Sequence, residues 1–292
     1  WMPPGAAEFT PVPTDRFFTQ ANVVHVTSPG MKALIAPVTN TRPGDGEPLK
    51  DVHPSFTLST LVDGDFQPKV GGLDVLPDGT VALCTWDPQG DVYLIDPKTR
   101  SAKRFATGLA EPLGIKVVDG EIFVLQKQEL TQLIDHDKDG VADEYKCVSS
   151  AWPVTANFHE FAFGLVYKDG WFYAGLAVVV DPGGRTTVPQ IAQDIHGVGR
   201  GQVIRIERNT GKVESFAQGI RTPNGIGMTT AGEIYVTDNQ GDWLPSSKLI
   251  HVRQAAFFGS HTQPDHQLAT KPVTPPVVWL PHGEIGNSPS QP

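Results

Sequence analysis

One phrase recurs along this chain and constrains its fold more than any other feature: an apolar strand, a turn built on Asp-Gly or Ala-Gly, then a second strand of alternating pattern. Four copies occupy residues 72–83, 113–124, 163–174 and 224–236, turning at Asp78-Gly79, Asp119-Gly120, Asp169-Gly170 and Ala231-Gly232. A two-residue hairpin turn needs positive φ at both central positions, which Gly and Asp tolerate, so each copy reads as an antiparallel hairpin. Further strand pairs flank some of them, 92–96 with 102–106 and 202–207 with 211–216. Four strands per repeat make a propeller blade, and turns about 40, 50 and 60 residues apart are blade length plus growing insertions. The expectation is an all-β propeller of four-stranded blades, with the insertions gathered as loops at one end and any chemistry at the strand ends on one face.

A chain of 292 residues suits one such domain, residues 1–292, and the 30 Gly and 26 Pro fall between short apolar runs, as turns between strands would place them. Residues 23–38 read as strands of a preceding blade and 39–54 as a Pro- and Gly-rich connecting loop. About four full blades plus partial ones can be counted, so a six-bladed ring is expected to be incomplete in this chain. Residues 275–281, followed by 288–292, read as the start of another blade. An open ring exposes sheet edges, so the missing blades are expected from the rest of a longer protein or from a partner chain. No positively charged start followed by an apolar segment is visible, which reads as a processed or excerpted chain.

The net charge of −9 removes the usual attraction for a phosphate backbone, which sets nucleic acid aside. The longest apolar stretch, Gly175-Leu176-Ala177-Val178-Val179-Val180, is too short to span a bilayer. Cys84 and Cys147 have neither CxxC nor CxxCH spacing, so no sequence argument supports zinc or attached haem; a disulfide and two buried free thiols both stay open. No Gly-rich phosphate loop and no Gly-x-Ser-x-Gly elbow is present. His196, His251, His261, His266 and His282 show no metal-like pairing.

Three segments carry a resemblance: Ala156-Asn157-Phe158-His159-Glu160-Phe161-Ala162-Phe163-Gly164, Gly219-Ile220-Arg221-Thr222-Pro223-Asn224-Gly225 and Thr237-Asp238-Asn239-Gln240-Gly241-Asp242. In this order and spacing, over roughly residues 63–259, the chain resembles the glucose/sorbosone dehydrogenase-like six-bladed propellers. That family includes members in large exported bacterial proteins with a c-type cytochrome domain. The resemblance implies a periplasmic or extracellular protein that oxidises a small sugar or polyol with pyrroloquinoline quinone and passes electrons to a haem domain or partner. It implies His159 as the general base for the hydroxyl proton, a task suited to imidazole because its pKa lies near neutrality. Arg221 matches an Arg that meets the quinone's anionic oxygens with a planar charged fork. Asn224 and Asp238 match polar positions of the same rim, and Gln240 belongs to a loop whose backbone carbonyls help hold calcium beside the quinone. The chain departs from the pattern where Thr222-Pro223 intervenes before Asn224, where Ser246-Ser247 replaces an acidic pair, and at Phe258-Gly259-Ser260.

Each of these residues also has a plainer reading. His159 can pack its ring in the strand and hydrogen-bond a neighbouring loop, Glu160 can orient it or face water, and Arg221 can pair with a carboxylate at a blade junction. A second site lies in Asp135-His136-Asp137-Lys138-Asp139-Gly140-Val141-Ala142-Asp143-Glu144, where Asp135, Asp137, Asp139 and Asp143 follow the ligand order of calcium loops. Lys146 stands where the bidentate Glu of a full loop would fall, and a solvated Asp-rich turn is the alternative.

Two other functions stay open. Pro223-Asn224-Gly225-Ile226 and Tyr235-Val236-Thr237-Asp238-Asn239 also resemble gluconolactonase-type propellers, in which Asn224, Asp238 and a further acid would converge on one divalent ion. A propeller that binds carbohydrate or protein without turnover would use aromatic residues such as Trp152, Trp171 and Trp243 as a sugar-stacking platform.

Overall fold

The computed structural model describes residues 55–180, 199–239, 245–260, 270–282, 285 and 288–292. The chain divides into two units, Trp1–Thr60 and Leu61–Pro292, and every strand described here belongs to the second. Sixteen strands and no α-helix occur among the described residues. They form four sheets of four antiparallel strands in sequence order. The first blade holds β1 (Val70–Val75), β2 (Val81–Thr85), β3 (Gly90–Asp96) and β4 (Ser101–Leu109). The second holds β5 (Gly114–Val118), β6 (Glu121–Leu125), β7 (Leu130–Ile134) and β8 (Glu144–Ser149). The third holds β9 (Ala162–Lys168), β10 (Trp171–Leu176), β11 (Gln202–Glu207) and β12 (Val213–Gln218), and the fourth β13 (Pro223–Met228), β14 (Ile234–Asp238), β15 (Ser246–His251) and β16 (Val278–Pro281). The first strands of successive blades, β1, β5, β9 and β13, are neighbours, which is the inner-strand order of a β-propeller.

Two of the four repeated hairpins have the expected turn: Asp119 and Gly120, and Asp169 and Gly170, all have positive φ. The other two carry three residues, because Gly79 and Gly232 alone take positive φ. Gly79 N donates to Leu76 O and Gly232 N to Thr229 O, so a type I turn precedes a glycine bulge in each. Pro77 fixes a φ suited to the first turn position, and Ala231 lacks the tolerance of Asp for positive φ.

Three apolar clusters fill the three junctions between the four blades. Cys84, Val92 and Phe105 meet Ile115, Val124 and Leu133; Phe123, Leu125 and Leu130 meet Phe172, Leu176 and Ile204; Val166, Tyr173 and Val203 meet Ile226, Val236 and Ile250. Full burial of each Val, Leu, Ile or Phe contributes about 1.5–3 kcal/mol. At the inner strands the blades approach so closely that a Cβ on Gly114 would collide with Gly164 O, and Gly164 N donates to Leu113 O at 3.0 Å. Glycine is required there.

The last strand corrects one expectation. Residues 278–281 do not begin a further blade: β16 pairs with β15 through Leu249↔Val278 and Ser246↔Pro281 and completes the fourth. Beyond it, Thr237 Oγ1 donates to Ser290 O at 2.6 Å and Gln291 Nε2 to Ile226 O at 2.5 Å, so residues 290–292 lie against β13. The two thiols are free, Cys84 buried and Cys147 exposed; burial pushes the Cys84 thiol up to about 12. Residues 23–38 and 39–54 lie outside the described residues.

Candidate functional site

Strand register places the candidate residues. The inner strands begin at Val70, Gly114, Ala162 and Pro223, and these pair with or adjoin Thr85, Leu125, Leu176 and Asp238 at the ends of the second strands. This end is the upper rim; the connections 150–161, 177–201 and 239–245 leave from it, whereas 135–143 and 252–277 leave from the opposite end, so the insertions are shared between both ends. His159 and Arg221 therefore stand on one rim, each just before an inner strand. Asn224 sits where the pairing of β13 with β14 slips between Pro223 and Ile226, with Gly225 at a φ of 101°. Such bulges re-aim side chains at strand ends. Gln240, in the calcium-loop resemblance, lies outside the described residues.

His159 is half-buried, and its Nδ1 lies 2.8 Å from Val178 O. A carbonyl oxygen only accepts, so Nδ1 carries the hydrogen and Nε2 keeps a lone pair in the neutral ring. Burial lowers the His159 pKa, and the charges of Arg221 and Arg200 push it the same way, against the raising effect of the Val178 bond. The neutral form is thus favoured at neutral pH. The ring does hydrogen-bond a neighbouring loop, as the plainer reading had it; the bond nevertheless fixes the tautomer a base needs.

Val178 joins the two named residues, because its N–H donates to Arg221 O at 2.9 Å while its carbonyl holds His159. Arg221 makes no ion pair with a carboxylate among the described residues. Its Nη1 contacts Thr222 Oγ1 at 3.3 Å, and its Nε is buried without a partner. A cation with an unsatisfied buried donor suits an anionic or carbonyl oxygen brought by a ligand. The residues here fit the oxygens of pyrroloquinoline quinone on that ground.

Asp238 is turned inward and 0% exposed. Its Oδ1 accepts from Arg221 N at 3.0 Å and Thr222 N at 2.8 Å, and its Oδ2 lies 3.1 Å from Lys248 Nζ, itself buried. The latter contact is Coulombic, without the alignment of a hydrogen bond. The carboxylate holds the turn that presents Arg221. A lysine ammonium beside it takes the place a divalent ion would need, and the Asn224–Asp238 ion of the lactonase reading does not fit. A calcium ion against Asp238 does not fit either.

Several residues without a role in the motif reading build the His159 loop. Arg200, 0% exposed, donates from Nη1 to Pro153 O at 2.9 Å, from Nη2 to Phe161 O at 2.5 Å and from Nε to Ala177 O at 2.6 Å. One guanidinium thus ties both ends of the loop to the residue before Val178. Burial lowers its pKa to about 10, which leaves it a cation at neutral pH. Glu160, also 0% exposed, neither orients His159 directly nor faces water: its Oε2 accepts from Thr155 N and Oγ1. Asn157 Oδ1 accepts from His159 N at 2.9 Å, and Lys127 Nζ donates to Asn157 O at 2.9 Å. An Asx turn before His159 was legible in Asn157; nothing local marks Arg200, 41 positions on in the sequence from His159.

The acidic loop lies at the opposite end of its blade, between Ile134 and Glu144, which pair at the lower end of β7 and β8. Asp135, Asp137 and Asp143 bring carboxylate oxygens within 4.8 Å of one another. Asp139 stands apart, its Oδ1 accepting from Val141 N and its carbonyl from Lys103 Nζ. Gly140 N donates to Asp135 Oδ2 at 2.8 Å and His136 N to Asp143 Oδ2 at 2.8 Å, while Asp135 Oδ1 is buried without a partner. The set could hold a hard cation, but far from His159.

The aromatic platform is not where the sequence reading put it. Trp152 is buried, with Nε1 donating to Lys127 O at 3.1 Å; Trp171 lies under the Arg205 guanidinium at 4.3 Å; Trp243 is outside the described residues.

The family described as "Domain of unknown function (DUF7133)" matches residues 95–279. No curated protein matches the chain. Among solved structures, the PQQ-bound form of Aldose Sugar Dehydrogenase from Streptomyces coelicolor is similar at a TM-score of 0.58 and 15% identity, over 77% of this chain and 71% of that one. The holo form of the Pyranose Dehydrogenase PQQ domain from Coprinopsis cinerea is similar at 0.52 and 14%, over 75% of this chain and 62% of that one. At such identities the likeness is one of fold. No helix among the described residues is long and apolar enough to cross a membrane.

Proposed function

We propose, for a chain that belongs to the DUF7133 family and whose family description assigns no activity, that it is a quinone-dependent dehydrogenase of a sugar or polyol. The observation that carries this is the linked pair at the rim: a neutral His159 with Nδ1 bonded to Val178 O, and an Arg221 with no carboxylate partner among the described residues, held by the same Val178.

Oxidation of a hydroxyl to a carbonyl removes a proton from oxygen and a hydride from carbon. Nε2 of His159 takes the proton, and the imidazolium formed returns it to solvent. Pyrroloquinoline quinone, when bound, supplies the hydride acceptor. Arg221 and Asn224 would hold its oxygens, with Asp238 and Lys248 fixing the turn beneath Arg221. Gln240 belongs to the same rim loop in the resemblance. Asp135, Asp137 and Asp143, with Asp139 closing the turn, would hold calcium as a stabiliser of the lower end, with no part in the chemistry. The resemblance further supports export to the periplasm or exterior, and electron delivery to a c-type cytochrome domain or partner chain. The exposed Val70, Leu73 and Val75 of β1 support further blades from a longer protein or another chain.

Equilibrium titration with pyrroloquinoline quinone, followed by quinone absorbance, tests the site. Saturable binding weakened at least about tenfold by Arg221→Met is expected. Failure of the intact protein to bind the quinone would remove the dehydrogenase reading.

A further inference from the structure

A cavity of about 410 Å³ opens on the upper rim beside His159, between the first three blades. It is lined by Lys69, Trp86, Asp87, Glu111, Phe158 and Phe161. Its volume lies within the roughly 300–1,000 Å³ of small-molecule sites. The aromatic rings run on into the candidate base: Trp86 to Phe161 at 6.1 Å between centroids, Phe161 to His159 at 5.4 Å, and Phe158 to His159 at 6.0 Å.

Trp86 and Phe158 are 43% and 61% exposed, although both are large apolar side chains at the mouth of a cavity. Around them stand polar groups: Lys69 pairs with Asp87 at 3.1 Å, and Glu111 lies 4.0 Å from Lys127 Nζ. A wholly apolar occupant would desolvate the two carboxylates without replacing their hydrogen bonds. A charged occupant of either sign would compete with one member of the Lys69–Asp87 and Lys127–Glu111 pairs. A neutral ring with one C–H face and a girdle of hydroxyls satisfies both halves, stacking on the aromatics and bonding to the carboxylates. That description is a pyranose.

The geometry points to a binding subsite for a non-reacting sugar ring, which makes the substrate a disaccharide or longer oligosaccharide. His159 borders the cavity through Phe158 and Phe161 and does not line it, so the ring being oxidised lies beside the cavity and its glycosidic neighbour lies inside. Only this placement of the two rings rests on His159 being the base; binding of the second ring does not.

The test uses the full chain and the methyl glycosides of maltose and cellobiose, whose capped anomeric carbon is not open to oxidation. Calorimetry and tryptophan fluorescence read the binding. At least one of the two is expected to bind saturably, about tenfold or more tighter than methyl glucoside. Trp86→Ala and Phe158→Ala are each expected to weaken it about tenfold or more, while Trp86→Phe keeps it. Both side chains are exposed enough to be truncated without opening the core, and a thermal melt checks each variant. No saturable binding of either disaccharide glycoside, or binding unchanged in both alanine variants, overturns the subsite. Disaccharide binding without any quinone-dependent turnover would keep the subsite and remove only the dehydrogenase reading.

Discussion

The two ends of the blades are built in opposite ways. At the upper rim, His159 is placed by groups distant in sequence: Val178 fixes its ring, Arg200 clamps its loop at Pro153 and Phe161, and Lys127 reaches in from the second blade. At the lower end, the acidic loop is held mostly by its own bonds, with Asp135, Asp137, Asp139 and Asp143 each accepting from backbone N–H groups of the loop, and with Lys103 and the Phe105 carbonyl of the first blade as its contacts from outside. Long-range construction gives a rigid site with buried charges, where one substitution disturbs several elements. Local construction gives an exposed loop whose geometry survives the loss of one bond but whose clustered carboxylates repel one another without a cation.

The contrast is sharpest at Arg200. Arg200→Met removes three hydrogen bonds, strands the buried carbonyls of Pro153 and Ala177 and takes away a cation whose charge acts on buried Glu160, and is expected to cost about 2–5 kcal/mol in urea unfolding, at about 1–3 kcal/mol for each buried group left unsatisfied. A cost under about 1 kcal/mol would mean that the rim is not pinned and the comparison fails. Arg200→Lys, which keeps the charge but not the fork, should fall between the two. Next comes His159→Ala, expected to lower kcat about 10²–10⁴-fold in quinone-reconstituted protein with little change in unfolding free energy. A large stability loss with unchanged kcat would assign the ring to packing.

At the lower end, calcium should raise the melting temperature, by an amount corresponding to about 2.7 kcal/mol at a hundredfold excess over Kd. Asp135→Asn should abolish that shift and leave quinone binding unchanged. A loss of quinone binding in Asp135→Asn would couple two ends that the structure keeps apart.

The smallest effect is the pH dependence of stability. The folded His159 pKa lies below its ordinary value because burial disfavours the cation. As pH falls below about 6.5 the unfolded chain takes up the proton first. The contribution of the neutral ring is therefore complete above that pH and is lost as pH falls through the folded value. Thermal melts at about pH 7.5 and 5 should show wild type losing more than His159→Gln. Equal losses would mean that the ring titrates freely.

The same contrast explains what the sequence disclosed. The hairpins at Asp119-Gly120 and Asp169-Gly170, the Asp-rich loop and the strand pairs were legible because turn chemistry and alternation are local. The turns at Gly79 and Gly232 departed because Pro77 and Ala231 change which positions can take positive φ. From the sequence, residues 275–281 suggest a new blade because periodicity gives a strand but not its partner; β15 supplies that partner. His159 and Arg221 were found by motif order, yet their connection through Val178 was not. Asp238 stood in the motif as a polar rim residue, and only the buried Lys248 beside it shows that its carboxylate faces inward. Arg200 carried no motif, because a side chain whose partners are three carbonyls leaves no mark in the residue types it touches. Trp86 and Phe158 were likewise silent, since a platform is made by exposure and not by spacing.

The most direct test of the central claim is sugar-dependent dye reduction by the protein reconstituted with pyrroloquinoline quinone and calcium, comparing wild type, His159→Ala and Asp135→Asn. The account predicts turnover that requires both sugar and quinone, is lost in His159→Ala and persists in Asp135→Asn under conditions where both variants are folded. Equal turnover by His159→Ala, or none from wild type with quinone bound across a panel of aldoses and disaccharides, would contradict it.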